Sequence, residues 1–164
     1  MRVLVTGATG FVGGRLVPAL LAASHDVSVL VRNRGRFAPD GYAVDDVRVV
    51  EGDLLAPAGL EPAFADVEAA YYLVHSMRAG GDFEERDRLA ARSFARLASD
   101  AGVSRVVYLG GLGETHDHLS DHLRSRREVE AILGDGTYDL TVLRAAVVIG
   151  AGSVGMPSAY FLAE

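Results

Sequence analysis

An apolar run, Val3-Leu4-Val5, leads directly into Thr6-Gly7-Ala8-Thr9-Gly10-Phe11-Val12-Gly13, and a helical pattern follows. No other feature of the chain narrows its fold as much. Glycines spaced three and three at a strand-to-helix junction suit a backbone that must turn sharply, approach a ligand closely and seat a helix on a strand. Gly7 serves the turn, Gly10 the approach and Gly13 the packing. The helix then offers N–H groups and the positive end of its dipole. Thr9, Phe11 and Val12 complete a loop able to carry a diphosphate. A structural turn without a ligand is the alternative reading of the triplet.

The rest of the chain alternates apolar runs with helical patterns. The runs are Val3 to Val5, Val27 to Val31, Val47 to Val50, Ala70 to Val74, Val106 to Leu109 and Leu140 to Leu143. Helical patterns cover Phe11 to Ala23, Gly59 to Ala65, Asp82 to Ala101 and Ser120 to Leu133. In the third, Phe83, Leu89, Ala90, Phe94, Leu97, Ala98 and Ala101 form the apolar side, and Gly102 stands as the terminal glycine. Near-continuous apolar strands joined by helices imply an α/β fold, a doubly wound parallel sheet in the order 3-2-1-4-5-6. The polar stretch from Asn33 to Asp46 reads as a loop with one helical turn. Residues 1–150 are expected to form one nucleotide-binding domain, and residues 151–164 to begin a C-terminal substrate region.

Composition removes several classes of function. At 49% hydrophobic and 23% charged the chain is globular, and no apolar stretch is long enough to span a bilayer. A strand starting at Arg2 leaves no room for a signal peptide, and the absence of cysteine excludes disulfides and thiolate ligands. A cytoplasmic location is expected. The net charge of −6 points away from nucleic acid as a partner. All 16 basic residues are arginine, so no lysine can serve as a base or Schiff-base amine.

The second strand ends Leu30-Val31-Arg32-Asn33-Arg34, without the carboxylate that often holds the ribose hydroxyls of NAD. The planar fork of Arg32, joined by Arg34 or Arg36, suits a 2′-phosphate, so NADP(H) is expected over NAD(H). Asp53 and Leu54 follow the third strand, where a carboxylate can accept from the adenine amino group or cap a turn. Leu73, Val74 and His75 end the fourth strand beside the expected cofactor path.

The chain resembles the short-chain dehydrogenase/reductase superfamily, and within it the atypical NAD(P)H-binding group of NmrA-like and sugar-nucleotide-epimerase-like proteins. The glycine loop carries that resemblance, with Gly52-Asp53-Leu54, Tyr72 to Met77, Val107 to Gly113 and Leu143 to Gly150. It implies that Gly110, Ala145 and Ala146 lie along the cofactor. It also implies a serine after the fifth strand and Tyr-x-x-x-Lys in the next helix. Here the serine region reads Gly110-Gly111, His122 stands at the tyrosine position and Arg126 at the lysine position. Histidine titrates near neutrality and is a candidate acid or base, whereas arginine can hold a ribose or phosphate but relays protons poorly.

His116, Asp117, His118, Asp121 and His122 cluster in sequence, but they begin in a loop, and no metal site is expected. Three functions remain open: a module that reads NADP(H) without turnover, a reductase or epimerase-like enzyme using His122, and a scaffold with structural nucleotide. The small-molecule substrate or partner protein is not named by the sequence.

Overall fold

The computed structural model describes residues 1–75, 83–112 and 121–145, with only the backbone for 121 and 122. Its strands are β1 (Arg2–Thr6), β2 (Asp26–Val31), β3 (Arg48–Glu51), β4 (Ala69–Tyr72), β5 (Arg105–Gly111) and β6 (Asp139–Ala145). Its helices are α1 (Gly13–Ala22), α2 (Glu61–Phe64), α3 (Phe83–Asp100) and α4 (Asp121–Gly134). The strands pair in the order β3-β2-β1-β4-β5-β6, all parallel.

Alternation along β1 shows how the two faces are filled. Val3 and Val5 face one core with Val17 and Leu20 of α1, while Leu4 faces the other with Phe64, Phe94 and Leu97. Burial on both faces explains why the strands read as unbroken apolar runs. Phe94 lies edge-on to Phe64 and Tyr72, with centroids 5.4 and 5.0 Å away.

The structure differs from the sequence expectation in detail. Strand β4 stops at Tyr72, and α2 is shortened because Gly59 and Asp66 adopt positive φ of 80° and 62° on either side. The stretch after β2 holds two 3₁₀ turns, Arg34–Arg36 and Val44–Asp46. In α3 the buried stripe runs through Asp87, Ala90, Ala91, Phe94, Leu97 and Ala98, so a carboxylate is inside and Leu89 is exposed. Leu89 sits about 100° around the helix from Ala90, off the stripe's axis. Gly102, with φ 70°, closes α3 as expected, and the Val103 N–H reaches back to the Ala98 carbonyl. The boundary expected at residues 150 and 151 lies outside the described residues.

The hydroxyls of Tyr72 and Tyr138 are buried without a hydrogen-bond partner among the described residues. Burial pushes both ionisations up, with Asp87 adding to Tyr72 and Asp135 to Tyr138, and Tyr138 reaches about 12. A tyrosine raised in the folded state stabilises fully below its unfolded value near 10 and loses that contribution as pH rises through the folded value. Stability measured by denaturant unfolding should therefore fall between pH 10 and about 12, and Tyr138→Phe should flatten the decline. At neutral pH, Tyr72→Phe should hold stability or add about 1 kcal/mol, since it removes an orphaned hydroxyl. A loss beyond about 2 kcal/mol in that variant would reveal a strong partner for the hydroxyl.

Candidate functional site

The loop from β1 to α1 is shaped by side chains that are absent. Gly7 adopts φ 79°, and a Cβ there would lie 2.7 Å from the Leu73 carbonyl oxygen. A Cβ on Gly13 would lie 2.7 Å from the Ala8 Cα. The fold itself therefore demands both glycines. Gly10 is different: a Cβ there would have only the Gly7 oxygen, at 3.2 Å, as a described neighbour within 4 Å. Its missing side chain leaves an open cradle in front of the loop.

The amides around that cradle divide into two sets. Gly10 N–H donates to the Gly7 carbonyl at 3.0 Å, and Gly14 N–H to the Gly10 carbonyl at 2.8 Å. The N–H groups of Phe11, Val12 and Gly13 have no acceptor among the described residues, and no side chain caps α1. Such donors at a helix start favour an anion. Thr9 is exposed at the loop's outer edge. Arg15 was not anticipated: its guanidinium lies 3.8 Å from the Phe11 ring centroid and donates to the Phe11 carbonyl. The i, i+4 spacing of Phe11 and Arg15 was the available signal.

Arg32 is exposed directly after β2, and Arg34 and Arg36 occupy the adjoining 3₁₀ turn. Two acceptors hold that turn. Asn33 Oδ1 takes the Arg36 N–H at 3.1 Å, and Glu51 Oε2 takes the Arg34 N–H at 2.8 Å. Glu51 is a carboxylate beside the end of β2 that arrives from β3, so its proximity is invisible along the sequence. Asp53 Oδ1 accepts from Leu55 N–H at 2.9 Å, the turn-capping arrangement. Leu54 is buried in the core. Leu73 abuts Gly7, Val74 is half-buried, and His75 is exposed.

At the end of β5, Gly110 and Gly111 have a packing role. A Cβ on Gly111 would lie 3.0 Å from Leu123 Cδ2 and 4.0 Å from Arg126 Cγ, so α4 uses the space that a serine would need. Ala145 pairs with Gly111 across β5 and β6, and its carbonyl accepts from Leu112 N–H. Helix α4 is also tied from beneath. Buried Ser125 donates to buried Asp87 of α3 at 3.1 Å, and Tyr108 OH donates to the Arg126 carbonyl at 3.2 Å. Burial raises the Tyr108 ionisation, with nearby Arg126 opposing, so this phenol is not tuned to release a proton. Arg144, a candidate contact or a structural tie, pairs with Glu130 at 2.6 Å.

His122 lies in the first turn of α4, and its side chain is outside the described residues, as is Ala146. His116, Asp117 and His118 are outside them too. Among the described residues no group of three His, Cys, Asp or Glu could hold a metal, and no helix is long and apolar enough to cross a membrane.

Comparison with known proteins agrees with this layout. A family profile described as NAD(P)H-binding matches residues 7–150. Sterol demethylase protein B of Methylococcus capsulatus is 36% identical over 118 residues, which are 69% of this chain and 35% of that protein. Ceramide reductase of Caulobacter vibrioides is 30% identical over 152 residues, 92% of this chain and 47% of that protein. The chain thus spans about half or less of the length of these curated relatives. The crystal structure of the Bordetella bronchiseptica enzyme WbmG in complex with NAD and UDP superposes with a TM-score of 0.75 at 22% identity, covering 92% of this chain and 54% of that one. The chain belongs to the NAD(P)H-binding family and has a Rossmann fold.

Proposed function

We propose that the chain is an NADP(H)-holding domain that lacks the usual acid/base pair of its superfamily. The observation that carries this is the open cradle at Gly10, faced by N–H groups of Phe11, Val12 and Gly13 that have no described acceptor. Those amides hold the diphosphate, and the absent Cβ lets it approach the main chain. Arg32 holds the 2′-phosphate through a charge-assisted fork, with Arg34 and Arg36 adding positive potential. Leu73, Val74, Gly110 and Ala145 line the path toward the nicotinamide, and Arg126 holds its ribose. When bound, the nicotinamide supplies hydride donor and acceptor chemistry.

Proton handling separates this domain from an ordinary reductase. The described residues provide no phenol with a lowered ionisation, and the whole chain has no lysine to lower one. A redox-sensing or regulatory role, in which cofactor state is read and not consumed, follows from that arrangement. The two relatives favour a second reading, because one is named a reductase and the other a demethylase protein. There His122 gives the proton, and a longer parent chain closes over the substrate.

Titration calorimetry tests the binding reading. Gly10→Val should abolish binding of both nucleotides, because the branched side chain fills the cradle; retained affinity would refute the loop assignment. NADPH should bind about tenfold tighter than NADH, and Arg32→Ala should bring the two within about twofold, the scale of one charge-assisted contact. Equal wild-type affinities would overturn the specificity. Turnover separates the second reading: substrate-dependent NADPH oxidation that His122→Ala removes would make the domain catalytic.

A further inference from the structure

The three arginines of the loop after β2 sit within five residues, at 32, 34 and 36, and all are exposed. Like charges at that density push an unrestrained loop apart. The turn Arg34–Arg36 contributes no buried residue of its own. Three ties lie within the segment: Asn33 Oδ1 and the Asn33 carbonyl both accept from Arg36 N–H, and the Arg34 carbonyl accepts from Phe37 N–H. Phe37 is buried and anchors the far side in the core beside α1. One further hydrogen bond comes from outside. Glu51 Oε2, at the end of β3, accepts from Arg34 N–H at 2.8 Å. Glu51 pairs in register with Val31, the last residue of β2, and Gly52 N–H donates to the Val31 carbonyl at 2.8 Å. The carboxylate therefore links the arginine turn directly to the sheet.

We propose that Glu51 is the positioning residue for cofactor preference: its carboxylate fixes the Arg34 amide and thereby aims the Arg32–Arg36 loop at a 2′-phosphate. The inference rests on the NADP(H) reading above. Its physical content is preorganisation. A turn ordered during folding need not be ordered again when the phosphate arrives, so Glu51 favours the phosphorylated nucleotide although its own charge opposes a phosphate. Orientation and charge pull in opposite directions at this residue, and two substitutions separate them. Glu51→Gln keeps a carbonyl oxygen for the Arg34 N–H and removes the charge. Glu51→Ala removes both.

The test measures NADPH and NADH dissociation constants for wild type, Glu51→Gln and Glu51→Ala, with amide hydrogen exchange at Arg34. Positioning predicts that Glu51→Ala weakens NADPH by about tenfold, the scale of reordering a side-chain-rich loop, and leaves NADH unchanged. Arg34 amide protection falls in the same variant. Glu51→Gln retains the protection and keeps or increases the NADPH preference. The unchanged NADH affinity excludes general unfolding as the cause. If Glu51→Ala tightens NADPH, Glu51 acts through charge alone and the proposal is overturned. It is equally overturned if the nucleotide ratio stays at the wild-type value. A wild type with no preference at all would instead remove the NADP(H) reading, and this inference with it.

Discussion

Between β1 and α1 the main chain passes so close to β4's continuation that a Gly7 side chain would sit 2.7 Å from the Leu73 carbonyl oxygen. Most of the site follows from this approach. It lets α1 start immediately after the central strand, with Gly13 pressed onto Ala8 and Val17 buried behind it. It also brings the residue after β4 against the loop, so that the cofactor path begins where two neighbouring strands end. Doubly wound sheets bind ligands at such a reversal of strand order. In this sheet the reversal lies between β1 and β4, beside the loop.

A second constraint acts at the other end of that path. Gly111 gives α4 room to pack on β5, and the buried Asp87–Ser125 contact fixes the helix against α3. Exposed pairs across α3 and α4, Arg88 with Glu128 and Arg124 with Glu84, add modest support, since solvent-screened ion pairs contribute little. The buried pair matters more, because an unpaired carboxylate in the core is costly. The glycine pair that replaces a serine is therefore part of how this helix packs. Restoring the serine would require Leu123 to move as well.

The sheet was legible in the sequence because burial on both faces leaves a near-continuous apolar trace in central strands such as β1 and β2, and the other strands carry shorter apolar runs. The sharp strand-to-helix turn was legible because the close main-chain approach at Gly7 and Gly13 requires glycine. Three features were hidden, each for a physical reason. Glu51 acts across strands, so no local pattern links it to Arg34. Asp87 violates the apolar stripe of α3, and its partner Ser125 lies 38 residues away in the sequence. Asp53 offered two readings, and its bond to Leu55 N–H is a contact that composition and spacing do not distinguish from a ligand contact.

Binding and chemistry draw on different parts of this molecule. The cradle before α1 consists of main-chain amides and missing side chains, so its donors stay in place under substitutions that neither fill the space at Gly10 nor displace the chain at Gly7 and Gly13. At the other end of the sheet the surface is set by side-chain identity, at the end of β5, where Gly110 and Gly111 lie, and in α4, which carries His122 and Arg126. A chain can therefore lose or change its acid/base group while the same backbone still presents N–H groups to a diphosphate. At Gly111 the space for a Cβ is bounded by Leu123 Cδ2 of α4 at 3.0 Å, so packing and side-chain chemistry meet at that position.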